Sequence, residues 1–147
     1  MNLSEHFTLE ELTFSQTAAR LGIANEPPPR IVENLTFLAS RLEEVRALLK
    51  APMVVSSGYR SPALNDAVGG SSTSQHRFGL AVDFVAPAFG DPFEVAQAIA
   101  ASSIAFDQLI LEFGKWVHVS FTRNPPRRQA LSVYKPGVYA PGILQRG

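Results

Sequence analysis

The stretch SQHRFGLAVDF, residues 74 to 84, places His76 seven residues before Asp83 with two small residues, Gly79 and Ala81, between them. The chain has only 3 histidines and no cysteine. Without cysteine there are no disulfides, iron–sulfur clusters or thiolate zinc sites, so any metal must be held by imidazole and carboxylate. A zinc ion that does chemistry commonly has three protein ligands and keeps a fourth position for water, and His76, Asp83 and His118 are chemically suited to that set. Asp83 lies in LAVDFVA, where alternation puts Ala81, Asp83 and Val85 on one face and Leu80, Val82 and Phe84 on the other. A carboxylate in so apolar a strand is costly to bury unless something pairs with it. His118, inside WVHVSF, raises the same question. A single buried histidine is more often a core residue with satisfied hydrogen bonds than a ligand; the joint occurrence of the three residues is what points to metal. Gly79 and Ala81 allow a tight turn into the strand, and Ser74 and Gln75 offer hydrogen bonds to orient the imidazole.

The elements that must position these residues are legible in outline. Thr8 followed by Glu11 is a capping-box pattern and predicts a helix from about residue 9 toward Leu21, with His6 at its start. The run NEPPP, residues 25 to 29, ends it. From Arg30 onward Ile31, Leu35, Leu38, Leu42, Val45 and Leu49 mark one face of an amphipathic helix of about five turns, facing the core. MVVSS, residues 53 to 57, reads as a strand, and a long loop follows, with a helical turn around Pro62 to Val68. A loop of that length inside a compact domain is usually functional. Then come a strand over 80 to 86, a helix opened by Asp91, Pro92 and Glu94, and strands over 106 to 113 and 116 to 121 that flank Gly114-Lys115 as a hairpin. The proline-bearing tail leaves room for at most one edge strand, near QALSVY. Helices first and strands after them predict an α+β domain with a mostly antiparallel sheet packed by N-terminal helices. We expect one domain over residues 1 to 147, with a helical segment over 1 to 29 and an irregular tail over 122 to 147.

The bulk numbers exclude several classes. A hydrophobic content of 46% over 147 residues builds an ordinary core without staples. Lysine plus arginine balances aspartate plus glutamate at 13 each, so no net field draws the chain to nucleic acid or an anionic membrane. Arg123, Arg127 and Arg128 form too short a cluster to change that and read as a solvated loop. The opening MNLSEHFTLEEL lacks the basic start and apolar run of a signal peptide, and no segment approaches roughly 18 apolar residues. The expectation is a monomer made in the cytoplasm without its own export signal.

SGYRSPALN (57 to 65), SQHRFGLAVDF (74 to 84) and WVHVSF (116 to 121) together resemble the zinc D-Ala-D-Ala carboxypeptidase family, which includes bacteriophage peptidoglycan endopeptidases and shares its fold with the hedgehog signalling domain. The family pattern, Ser-x-His-x-x-Gly-x-Ala-x-Asp and a later histidine in a strand, falls on residues 74, 76, 79, 81, 83 and 118. The likeness runs from about residue 4 to about residue 121. It implies a hedgehog/DD-peptidase fold, one zinc per chain held by His76, Asp83 and His118, and peptidase activity on the peptide stems of peptidoglycan, as a D,D-carboxypeptidase or an endopeptidase. In such a mechanism zinc acidifies a water and polarises the scissile carbonyl, while a nearby carboxylate takes the proton and passes it to the leaving amine.

Glu112 is the candidate for that carboxylate. A three-residue connection, Phe113 to Lys115, sets it opposite Trp116 and on one face with Gln108 and His118; a two-residue connection turns it away, leaving an exposed end-of-strand charge. Relatives that are D-Ala-D-Ala dipeptidases carry their catalytic glutamate three residues before the last histidine, where this chain has Lys115, and some carboxypeptidase members carry a second histidine at the position of Trp116. Glu112 instead matches the glutamate of the hedgehog-like arrangement. Arg60 matches the family arginine taken to hold a substrate carboxylate or to stabilise the oxyanion. Alone, beside Pro62, it would read as a turn residue with its head in solvent. Tyr59, Ser74, Gln75, Gln108 and Trp116 complete the candidate substrate contacts, with Ser57 and Asn65 as supports of the loop; Trp116 either lines a groove or simply packs.

Lack of an export signal fits a phage or prophage endolysin that reaches the wall through a membrane hole made by another protein. The alternative is a non-catalytic, zinc-stabilised module that binds wall or forms part of a phage particle. Such a module would keep His76, Asp83 and His118 yet tolerate loss of Glu112 and Arg60. The presence of both favours the hydrolase.

Overall fold

Local capping signals decide where the helices begin and end in the computed structural model, which describes residues 1–146. The expected capping box forms: Thr8 Oγ1 accepts from the Glu11 N–H at 3.1 Å and Glu11 Oε1 accepts from the Thr8 N–H at 3.0 Å. The helix it opens, α1 (Leu9–Thr13), stops early, and a second helix, α2 (Gln16–Leu21), replaces the single one expected toward Leu21. Phe14 and Ser15 are extended, and the Ser15 hydroxyl caps the Ala18 N–H at 3.1 Å, so serine here starts a new helix rather than continuing the old one. His6 is not part of either helix. Its ring Nδ1 lies 2.7 Å from Glu43 Oε1 and its backbone N–H donates to Glu43 Oε2 at 2.7 Å, so it ties the N-terminal segment to the long helix.

That long helix, α3 (Pro29–Leu49), has the predicted face: Leu35, Leu38, Leu42 and Val45 are fully buried and Ile31 and Leu49 nearly so. Strand β1 (Val54–Ser57), helix α4 (Pro62–Ala67), a short 3-10 helix (Gln75–Phe78), strand β2 (Ala81–Val85) and helix α5 (Pro92–Ala100) follow. Both α4 and α5 carry a proline in the first turn behind a capping side chain, Ser61 and Asp91 respectively. Strands β3 (Gln108–Glu112) and β4 (Trp116–Ser120) form the hairpin, and β5 (Gln129–Lys135) and β6 (Val138–Pro141) form another.

The strands make a six-stranded, mostly antiparallel sheet in the order β1-β2-β4-β3-β5-β6, so the α+β class expected from the element order is the one observed. Strand β5 runs parallel beside β3, with Gln108 opposite Gln129 and Glu112 opposite Val133. The tail therefore holds two strands where at most one was expected. Its prolines fall outside the ladder except Pro141, which ends β6. The arginines there are exposed, as expected of a solvated loop, and two of them are also anchored. Arg127 forks onto Asp107 with Nε at 3.0 Å and Nη2 at 2.7 Å, and that bond from the carboxylate holds its guanidinium above its ordinary pKa. Arg128 caps the carbonyls of Ile104 and Ser102 and lies 4.6 Å over the Phe106 ring.

The chain divides into two compact units. The first, Met1–Glu43 with Val55–Val82, has a core of Phe7, Leu12, Leu35, Leu38 and Leu64. The second, Glu44–Val54 with the residues from Asp83 onward, packs α5 on β3 and β4 around Val95, Ile99, Leu109, Leu111, Val117 and Val119. Among the described residues no helix is long and apolar enough to cross a membrane.

Candidate active site

His76 is placed by its own local chain. Ser74 caps the 3-10 helix by accepting from the His76 backbone N–H at 3.3 Å, and Gly79 closes it in the left-handed conformation at φ 69°. Gly79 is needed twice over, because a Cβ there would stand 3.1 Å from both Ile31 and Leu35 of α3. Ser74 thus orients the backbone and not the ring. The ring is held by a backbone group, the Gly58 carbonyl, 2.8 Å from Nδ1. A carbonyl can only accept, so Nδ1 carries the proton and Nε2 presents its lone pair, the tautomer that a metal ligand requires. The Arg60 N–H in turn donates to the His76 carbonyl at 3.0 Å. Gly58 and Arg60 therefore grip His76 by ring and by main chain.

Asp83 sits mid-strand in β2 and His118 mid-strand in β4, 7% and 8% exposed, with Asp83 Oδ1 3.1 Å from His118 Nδ1. His76 is 3% exposed. One ligand atom from each of the three lies within 4.8 Å of the other two. Two atoms on a tetrahedral zinc at bonds of about 2.0 to 2.2 Å stand about 3.3 to 3.6 Å apart, and the Asp83–His118 pair at 3.1 Å is near that spacing. The burial argument agrees: a carboxylate so deeply buried is costly unless paired, and a divalent cation would offset that cost. Two imidazoles and a carboxylate brought together and buried are a donor set that fits zinc.

Glu112 ends β3 opposite Trp116, and Ile110 lies opposite His118. Cross-strand partners point to the same side of a sheet, so Gln108, Ile110 and Glu112 share a face with Trp116 and His118. The connection has three residues, Phe113 to Lys115, turned by Phe113 at φ 57° and Gly114 at φ 65° and closed by Lys115 N–H to the Glu112 carbonyl at 3.0 Å. The Trp116 Nε1–H donates to Glu112 Oε2 at 3.0 Å, and its ring meets Phe113 at a 5.7 Å centroid distance. That bond to the carboxylate was not foreseen, although the register that puts the two residues opposite each other carried the signal. The Gly58 carbonyl was not foreseen either, and no residue type announces a main-chain partner 18 residues away.

Arg60 is half-buried rather than solvated at a turn. Its Nε donates to Ser57 Oγ at 3.2 Å and its Nη1 to Asn65 Oδ1 at 3.1 Å, and it lines a cleft of about 420 Å³ with Ser57, Leu64 and Val68. Tyr59 is buried, its N–H on the Leu12 carbonyl at 2.8 Å; burial pushes its phenol pKa up against the opposing pull of Arg77 and Arg30. Gln75 opens the 3-10 helix, where its carbonyl takes the Leu80 N–H. Gln108 is bonded across to Gln129 at 2.8 Å.

A buried His-Asp-His group beside a strand-end carboxylate is the equipment of a metal-dependent hydrolase. The peptidase M15 family pattern matches residues 5–120, and the chain belongs to that family of zinc peptidases. No curated protein matches the chain.

Proposed function

We propose that this peptidase cuts the peptide stems of bacterial peptidoglycan, with His76, Asp83 and His118 holding one zinc, Glu112 as general base and Arg60 as the seat of a substrate carboxylate. The observation that carries this reading is the β3–β4 register, which aligns Glu112 with the face of His118. A glutamate diagonal to the histidine across a hairpin is within reach of what that histidine holds. When bound, zinc supplies Lewis acidity that acidifies water and polarises a peptide carbonyl. Glu112, with one oxygen fixed by the Trp116 indole, accepts the proton from the attacking water and returns it to the leaving amine. Arg60, steadied by Ser57 and Asn65, takes the substrate carboxylate through its guanidinium fork. Absence of a net charge suits a substrate recognised by such local contacts rather than by a long-range field.

Digestion of purified peptidoglycan, followed by mass spectrometry of the fragments, tests the proposal. Release of free D-alanine marks a D,D-carboxypeptidase, and newly exposed internal amines mark an endopeptidase. A zinc-loaded protein that binds the wall and releases neither would refute hydrolysis of this substrate and leave the wall-binding module.

A further inference from the structure

We infer that Asn65 is a positioning residue that holds the Arg60 guanidinium in place, and that Gly70 is the residue whose missing side chain makes room for that contact. The inference rests on the reading of Arg60 as a carboxylate holder and extends it. Asn65 is fully buried in α4, and every one of its polar groups has a named partner. Its N–H donates to the Ser61 carbonyl at 2.8 Å and its carbonyl accepts from the Gly70 N–H at 2.8 Å. Its side chain divides its work: Oδ1 accepts from Arg60 Nη1 at 3.1 Å, while Nδ2 donates to the Ser71 carbonyl at 2.8 Å. One carboxamide thereby links Arg60 to the loop that leads to His76. A carboxamide is the side chain that can do both, having an acceptor and a donor on one short plane.

Gly70 faces the same contact from the other side. A Cβ built there would lie 2.2 Å from Asn65 Oδ1 and 3.0 Å from Arg60 Nη1. Its backbone is not among the positive-φ glycines, so the position demands glycine for space and not for conformation. Gly70→Ala is therefore a probe that keeps an ordinary backbone conformation and pushes on the Asn65 carboxamide where it meets Arg60.

The experiment uses zinc-loaded full-length protein. The Arg60 Nε–H, which donates to Ser57, is followed by ¹⁵N nuclear magnetic resonance, and KM is measured on a stem peptide ending in a free carboxylate and on its C-terminal amide. Gly70→Ala and Asn65→Leu are expected to shift the Nε–H signal and to speed its exchange with water about tenfold or more. They should raise KM for the free acid about tenfold, the worth of a hydrogen bond to a charged group, and leave the amide unchanged. Asn65→Asp loses the donor to Ser71 but keeps an acceptor for Arg60, and is expected to keep the Nε–H signal as slow to exchange as in wild type, which separates positioning from bulk packing and decides the matter if the other variants do not fold. An unmoved Arg60 signal in Gly70→Ala or Asn65→Leu, or loss of that signal in Asn65→Asp, overturns the inference. Arg60→Ala is the control on the underlying reading: if it leaves the acid-to-amide ratio unchanged, Arg60 does not hold the carboxylate, and the resonance result still judges Asn65.

Discussion

Replacing Gly58 by alanine tests whether the grip on His76 sets metal affinity. A Cβ on Gly58 would stand 2.3 Å from the Leu12 carbonyl oxygen and 2.9 Å from its carbon, both main-chain atoms at the end of α1. Ordinary contact begins near 3.4 Å, so the two segments must part by about 1 Å. The Tyr59 N–H bond to that same Leu12 oxygen, 2.8 Å long, resists the separation. The Gly58 carbonyl that fixes the His76 ring moves with its residue, and a 2.8 Å bond stretched by most of an ångström is no longer a hydrogen bond. Metal sites tolerate roughly 0.5 Å of such displacement. Loss of an orienting partner typically costs about 10- to 100-fold in metal affinity, and crowding of this kind costs a further 1–3 kcal/mol or so of stability. Competition against a chromogenic chelator should therefore show zinc bound about 10- to 100-fold more weakly in Gly58→Ala. Thermal unfolding of the chelator-stripped protein should fall by several degrees, at about 2–4 °C per kcal/mol for a chain of this size. Wild-type zinc affinity in the alanine variant would refute the idea that this carbonyl orients the ligand.

Glu112→Gln should keep zinc content and fold while kcat falls about 10²- to 10⁴-fold, because only proton transfer is removed; wild-type kcat would send the search for the base elsewhere. Arg60→Lys keeps the charge but loses the planar fork, so turnover of a carboxylate-bearing peptide should fall with zinc content intact, and unchanged kinetics would return Arg60 to a purely structural part. Glu43 adds a pH dependence. Burial works to raise its pKa, but the bonds from Ser4 and His6 outweigh it and the carboxyl titrates below its ordinary value. A depressed folded pKa gives stability that is complete above the unfolded value of about 4.3 and is lost as pH falls through the folded one. Glu43→Gln should therefore unfold at a lower temperature than wild type at pH 7, with the gap closing below about pH 4; a gap that persists in acid would refute this linkage.

The order of elements was readable because it depends on pattern at short range. The face of α3 follows from residues three and four apart, and the Asp91–Glu94 capping box from residues three apart. The hairpin register depended on one integer, the length of the Phe113–Lys115 connection, and the sequence could only state the alternatives. The break at Phe14 and Ser15 was hidden because a serine that caps a helix and one that merely interrupts it look alike until the backbone chooses. The tail was misjudged for a different reason. Its first strand pairs with β3, more than fifteen residues away, and local composition punctuated by proline says nothing about so distant a partner.

That partner strand has a practical meaning for anyone who would trim the protein. The family match ends at residue 120, the last residue of β4, and would suggest a minimal fragment there. Yet β3, which carries Glu112, is bonded on one side to β4 and on the other to β5, whose Val133 carbonyl also receives the Phe113 N–H at 2.8 Å. A fragment cut at Phe121 would bare the whole of that second side as a row of unpaired N–H and C=O groups, an adhesive border open to other chains. The segment outside the shared pattern thus works as a selvedge, the finished margin that keeps the strand bearing Glu112 from fraying or sticking.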